Sequence, residues 1–198
     1  MRSGMLFARL LAKLRALGRD TGAVAAVEFA LILPFLLLLF LGSIETSSLI
    51  TVDRRVNVIS GTVGDLVARW DPEDGSIPSG TLNDYFLASQ GIIFPYETTP
   101  LRQVVSLIEV LTDGTTQVKW SCAYNGATKR VTNSAYTTLP ANVNLLARPP
   151  SGNKYVVASE TSYSYLPVLG VVFESAIDLY QESFYLPRYE DYIIGPTC

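Results

Sequence analysis

The chain has 198 residues, 48% of them hydrophobic and 17% charged, which fits one folded domain plus an additional apolar segment. Net charge is −3, yet Arg2, Arg9, Lys13, Arg15 and Arg19 crowd residues 1–22 against Asp20 alone, so the remainder is acidic and poorly suited to nucleic-acid phosphates. With no histidine, Ser-His-Asp and Cys-His catalysis are excluded, and two cysteines cannot by themselves fill a tetrahedral zinc site.

In chain order the sequence predicts a basic cytoplasmic leader over 1–22, a transmembrane helix over 23–42, an amphipathic continuation over 43–70 and an exported α+β domain over 71–198. The membrane segment follows from length. Gly22 to Gly42 carries a single charge, Glu28, and spans about 30 Å, the hydrocarbon thickness of a bilayer. Basic residues precede it, whereas Arg54 and Arg55 beyond it are balanced by Glu45 and Asp53, and the positive-inside bias therefore puts the N-terminus in the cytoplasm. A secretory signal peptide has a shorter charged end and a small-x-small site after its apolar region. Here "LGSIETSSLI" offers none, and the small residues Gly22, Ala23, Ala25 and Ala26 come before the apolar run, so cleavage there leaves the helix on the mature chain. An ionised Glu28 at the centre of a membrane helix costs about 3 kcal/mol on insertion scales and needs a partner or a special position. Pro34 removes one backbone donor, which a membrane helix tolerates when neighbours repair the bonding.

The stretch "GAVAAVEFALILPFLLLLFLGSIE" resembles the start of TadE-like proteins, the pseudopilins of the tight-adherence (Tad/Flp) pilus system. The resemblance implies that a prepilin peptidase cuts on the cytoplasmic face after a small residue, usually glycine, leaving a glutamate and an aromatic residue as the fifth and sixth of the mature chain. Glu28 and Phe29 match that pair. Cleavage after Ala23, with Val24 first, gives the family spacing; cleavage after Gly22 makes Glu28 the sixth residue, and both remain open. The resemblance also implies that Glu28 meets the new α-amino group of a neighbouring subunit in the apolar layer, because paired charges there cost much less than a lone one. The alternative is a Glu28 solvated near the cytoplasmic interface. Pro34 is frequent in pilin-like helices and is assigned with Glu28 to assembly. The implied partners are the prepilin peptidase, other pilins and pseudopilins, an inner-membrane assembly platform and the lipid bilayer, with no cofactor and no nucleic acid. The implied location is the inner membrane, single-pass, with the C-terminal domain periplasmic and possible incorporation in the pilus.

Beyond the membrane, Val52, Val56, Ile59, Val63, Leu66 and Trp70 recur at alternate spacings of four and three, one apolar stripe of a helix, with Asp53, Arg54, Asn57, Ser60 and Gly61 opposite. Gly61 and Gly64 weaken that helix by about 1 kcal/mol each. A continuous helix from Val24 to Trp70 would be about 70 Å long; the alternative breaks near Gly42 and Ser43. "DPEDGSIPSG" ends it, and its "DPEDG" reads as a solvated turn because the glutamate of a calcium loop is missing.

Residues 81–90 predict a short helix with Thr81 and Asp84 in a capping pattern. Residues 103–111 and 116–124 are β-rich runs around "TDGT", a hairpin signal, and 154–166 and 177–186 are further strands separated from them by the turn-rich "ARPPSGNKY". The simplest layering is a pilin-like α+β fold, the outer half of the long helix packed on an antiparallel sheet of about four strands. "YVVASETSYSYLPVLG" and "ESFYLPRY" are similar to the end of many TadE-like proteins. Tyr155, Tyr163, Tyr165, Tyr180, Tyr185, Tyr189 and Tyr192 alternate on strands as half-core residues or offer a contact surface. Cys122 and Cys198 fall in the exported part, where an oxidising compartment permits a disulfide; the alternative is two free thiols.

No nucleotide-binding loop is present, and paired carboxylates such as Glu190 and Asp191 have no cleft assigned by sequence, so an enzyme is not expected. The reading is a minor or priming pseudopilin. Its alternatives are a signal-anchored periplasmic binding module using the Tyr-rich sheet, and an adhesin at a pilus tip.

Overall fold

Leucine-rich sequence favours helix, and the first element, α1 (Thr21–Ala68), runs for 48 residues with Pro34 inside it. A single missing donor does not stop a helix whose other backbone bonds are local. The computed structural model describes residues 21–152, 154–170, 172–189 and 192–198, with side chains described from Val24 onward. Residues 1–20 of the basic leader, and the acids Glu190 and Asp191, lie outside the described residues. Two compact units form: the described residues up to Ser47 with Val168–Glu174, and Ser48–Pro167 with Ser175–Cys198.

In the second unit, α1 is followed by a 3₁₀ turn (Pro72–Asp74), whose preceding Asp71 accepts the Glu73 N–H at 2.9 Å. This is the "DPEDG" turn. Helix α2 (Ser79–Ile93) starts earlier and ends later than the 81–90 segment expected, and no side chain caps it. Pro78, extended at φ −61° and ψ 138°, turns the chain into the helix instead of Thr81. Burial of Leu82, Phe86, Ser89 and Ile93, at helical spacing, sets its extent.

Strands β1 (Leu101–Val110) and β2 (Thr116–Tyr124) form the anticipated antiparallel hairpin. At its tip Gly114 adopts φ +86°, a left-handed conformation suited to glycine, while the Asp113 carboxylate accepts the Thr115 N–H at 2.8 Å. Strand β3 (Tyr155–Tyr165) pairs with the other edge of β1, and β4 (Ile177–Tyr185) pairs with β3. The result is one four-stranded antiparallel sheet in the order β2-β1-β3-β4. The pairing steps from Leu107↔Trp120 to Ile108↔Val118, leaving Lys119 as an extra residue in β2.

Alternation along β1 builds two cores. Leu101, Val105 and Leu107 face α1, where Val52, Val56, Ile59, Val63 and Val67 are all fully buried. The long helix therefore packs on the antiparallel sheet, as the α+β reading requires. The stripe differs at its end: Leu66 is only half-buried and Val67 takes its place, because four residues after Val63 is the nearer return to the sheet on a helix of about 3.6 residues per turn. Ser60, expected on the solvent face, is buried and donates to the Ser159 carbonyl at 2.6 Å. On the other face Ile108, Val110, Val118, Val156 and Ala158 pack with Tyr136 and with Ala147 of α3 (Ala141–Ala147), a helix that the sequence reading had not placed.

Gly61 and Gly64 have a packing reason. The Tyr185 ring of β4 lies across them, and a Cβ on Gly64 would stand 2.8 Å from Tyr185 Cδ2. Beyond β4 the chain returns to the helix end, where the Arg188 N–H donates to the Ala68 carbonyl at 2.9 Å and its guanidinium reaches Asp65 at 3.0 Å. Arg69 and Arg188 donate to the Asp65 carboxyl and hold it below the usual carboxylate range against a smaller effect of burial.

The last residues are docked along the sheet. Ile193 is fully buried, its carbonyl accepts the Trp120 indole N–H at 2.7 Å, and Cys198 is disulfide-bonded to Cys122 of β2 across a sequence separation of 76. Closing so long a loop restricts the unfolded chain, a contribution of about 4 kcal/mol in the loop-entropy account.

Gly64→Ala sets a helix-propensity gain of about 1 kcal/mol against overpacking of about 1 to 3 kcal/mol. We expect a lower unfolding midpoint for the detergent-solubilised variant, and a smaller loss in the Tyr185→Leu background. Equal losses in both backgrounds would remove the ring as the reason.

Glu109, largely buried, receives Lys154 Nζ at 2.9 Å and Lys119 Nζ at 3.2 Å. Burial alone would raise its pKa, but the two lysine hydrogen bonds prevail and hold it below the ordinary value. A depressed folded-state pKa contributes stability that is present above the unfolded value of about 4.3 and is lost as pH falls through the folded one. Glu109→Gln should therefore flatten the loss of stability below about pH 4.3, measured by denaturant unfolding across pH. An unchanged acid limb would show that the pair contributes nothing.

Candidate functional site

The apolar half of α1 presents a constraint before it presents a site. Residues 24–40 are exposed in every direction, among them Phe29 at 58%, Phe35 at 62% and Phe40 at 61%. The most apolar 18-residue window of this helix has a mean hydropathy of 2.7, and none of that window is buried. Side chains of this kind round the whole circumference require lipid or other apolar helices around them. The helix is long and apolar enough to cross a membrane.

Glu28 stands on this surface, exposed and with no ion-pair or hydrogen-bond partner among the described residues. By helical spacing it shares a face with Val24, Leu31, Ile32 and Phe35, while Phe29 is rotated about 100° onto the neighbouring face. Pro34 lies between them and the outer end, leaving the carbonyl of Ala30 without the usual i+4 donor. Gly22 and Ala23 fall within the helix.

A second acid on the same helix has the opposite environment. Glu45 is 3% exposed, and its Oε2 accepts the N–H of Val172 at 2.9 Å and of Phe173 at 3.3 Å. A buried carboxylate is tolerable when backbone donors satisfy it. The sequence reading used Glu45 only in the charge balance around the membrane segment. Its signal, an acid one turn past the apolar run, has meaning only once the segment 127 residues away is known to meet it.

The sheet face opposite α1 carries a polar cluster that sequence reasoning missed altogether. Glu160 of β3, 5% exposed at its side chain, is held by a bidentate Arg130 and accepts the Tyr180 hydroxyl at 2.6 Å. Arg130 stacks over the Tyr136 ring at 5.3 Å, and the Tyr136 hydroxyl donates to Glu182, which also takes Thr138 at 3.0 Å. Contact with Glu160 keeps the guanidinium more firmly protonated than usual. Burial first, then hydrogen bonding to Glu182 and Glu160 respectively, pushes the Tyr136 and Tyr180 phenols well above their ordinary value. Arg102, Arg130, Glu160, Ser162 and Tyr180 line a depression of about 510 Å³ here. Every charged group in the Arg130–Glu160 pair is occupied by another side chain, so this constellation fastens the 127–140 segment to the sheet and offers neither a free base nor an activated nucleophile.

The seven late tyrosines divide between core and surface. Tyr163 and Tyr165 are buried, whereas Tyr180 and Tyr189 are 51% and 55% exposed.

Residues 23–58 match the family model described as TadE-like protein. The matched segment runs from the apolar helix into its sheet-packed continuation. Among curated proteins and among solved structures, nothing matches the chain.

Removing one partner of a buried ion pair leaves an uncompensated charge, and with Arg130 partly exposed the loss is discounted to about 2 kcal/mol. Arg130→Ala should lower stability by about that amount, read from denaturant unfolding. Unchanged stability would mean that Tyr180 and water satisfy Glu160 unaided.

Proposed function

We propose that the chain is a membrane-anchored TadE-like pseudopilin, a minor or priming subunit for assembly of a tight-adherence type IV-like pilus. The observation that carries this reading is the TadE-like match over residues 23–58 on a helix whose apolar side chains are exposed all round except for one acid, Glu28. In this reading residues 1–22 are a cytoplasmic leader, 23–42 cross the inner membrane, 43–70 continue outward and 71–198 lie in the periplasm. A prepilin peptidase removes the leader after Gly22 or Ala23. The role is structural rather than catalytic.

The chemistry of maturation and of Glu28 form one device. Hydrolysis of the peptide bond before Ala23 or Val24 liberates an α-amino group with an ordinary pKa of about 7.7 to 8.0, a cation at neutral pH. It lies within about two helical turns of Glu28. In a bundle of such helices, the carboxylate of one subunit meets the ammonium of the next, and the pair tolerates the apolar layer where a lone anion is costly. Pro34, by breaking the regular bonding, gives the helix a place to bend as it packs. Other pilins and pseudopilins, the assembly platform and the bilayer are the partners, with no cofactor and no nucleic acid.

Two measurements test it. Intact-mass analysis of the membrane-extracted protein should find a chain beginning at Ala23 or Val24 when the peptidase is active; a chain still beginning at Met1 would sink the maturation claim. Glu28→Gln should insert into the membrane as well as the parent yet reduce piliation by an order of magnitude or more, since about 1.4 kcal/mol of lost pairing is a factor of ten. Equal piliation would count against the pairing role.

A further inference from the structure

The segment Val168–Glu174 belongs to the same compact unit as the apolar half of α1. Its sequence from Val168 to Phe173, "VLGVVF", has no charged residue, and Gly170 turns it at φ +61°. Val168 is 85% exposed, Leu169 46% and Val172 50%, three apolar side chains of one loop open to the surroundings.

Its place along α1 is set by two contacts. Glu45 takes the N–H groups of Val172 and Phe173, and Val172 packs where Gly42 has no side chain, a Cβ there standing 3.1 Å from Val172 Cγ2. Gly42 follows directly on the apolar run, and Glu45 lies less than one turn further, about 4.5 Å along the axis. The loop is therefore fixed at the level where the apolar surface of the helix ends, next to exposed Phe40 and Ile44.

We infer that Val168, Leu169 and Val172 enter the outer interfacial layer of the bilayer, so that the chain holds the membrane through two elements, the spanning helix and this loop. The inference rests on the spanning reading of α1. Lipid is the occupant because the loop continues the all-round apolar surface of the helix at the same depth, and interfacial elements bury apolar groups about 5 to 10 Å into the headgroup and acyl boundary. Glu45 performs the task that makes this possible: its carboxylate satisfies two backbone donors that would otherwise be desolvated at the membrane edge.

The full chain, reconstituted in vesicles of phosphatidylethanolamine and phosphatidylglycerol, can carry a nitroxide at one introduced cysteine, because Cys122 and Cys198 are joined. Three label sites are compared for collision with oxygen, which concentrates in lipid, and with a water-soluble nickel chelate. They are Val168→Cys, Phe40→Cys in the apolar helix and Asn83→Cys on exposed α2. We expect Val168→Cys to resemble Phe40→Cys, with oxygen favoured several-fold over nickel, and Asn83→Cys to show the reverse. Adding Glu45→Ala should raise nickel access at Val168→Cys several-fold; no change would remove Glu45 as the anchor. A lipid-like Phe40→Cys with a water-like Val168→Cys would overturn the loop inference alone. A water-like Phe40→Cys would overturn the spanning reading and the inference with it. A Val168→Cys label shielded from both reagents would show that protein, a second copy of this chain, covers the loop, and would also overturn it.

Discussion

One helix has to satisfy two surroundings. Residues 24–40 of α1 are exposed on every side and apolar but for Glu28, while from Val52 onward the apolar stripe of Val52, Val56, Ile59, Val63 and Val67 is fully buried and Asp53, Arg54 and Asn57 lie off it. The sheet depends on the second condition, because its α1-facing residues Leu101, Val105, Leu107, Val157 and Tyr163 have the stripe as the floor of their core. The glycines sharpen the fit, since Gly64 lets Tyr185 press on the helix where any side chain would hold it off. Local helix propensity alone disfavours that glycine, and tertiary packing overrides it.

The acids follow a single logic beyond the apolar helix. Glu45, Glu109, Glu160 and Asp65 each bind donors from a distant segment: the 172–173 backbone, Lys154, Arg130 and Arg188. Each joins a loop or strand end to the helix or the sheet, which for the buried Glu45, Glu109 and Glu160 converts a costly carboxylate into a fastening. A catalytic acid or base needs the reverse, a group within reach of a substrate proton and left unspent. The Arg130–Glu160 pair is saturated in this way, its carboxylate taking both the guanidinium and the Tyr180 hydroxyl.

Local signals carried most of the secondary structure. Asp113-Gly114 marked the hairpin, runs rich in β-branched and aromatic residues marked β1 to β4, and the four-and-three spacing marked the outer half of α1. Errors arose wherever the deciding contact was remote. Ser60 is on the buried side because Ser159 accepts its hydroxyl from 99 residues away, and Arg130 finds Glu160 across 30 residues. Helix α3 has only seven residues, too few for a periodic pattern to stand out, and is held by burial of Ala147 against the sheet. In the candidate site Glu28, Phe29 and Pro34 were conspicuous because a charge and a proline interrupt an apolar run. Glu45 was not, because an acid just beyond such a run looks ordinary until its acceptor role is seen.

The contrast between Glu28 and Glu45 bears most directly on function. Both are single carboxylates on the same helix, less than five turns apart. Glu45 is satisfied within the chain and is buried; Glu28 is exposed among apolar side chains, with no partner among the described residues. A carboxylate of the first kind stabilises a fold, and replacing it would be felt by the isolated chain. One of the second kind gains its stabilisation only from what surrounds the chain, so replacing it should be felt there and not in the isolated fold. On the proposed reading that separation is the device itself: the subunit folds and inserts without calling on Glu28, and the carboxylate's cost in lipid is relieved only when a processed neighbour arrives with its new ammonium.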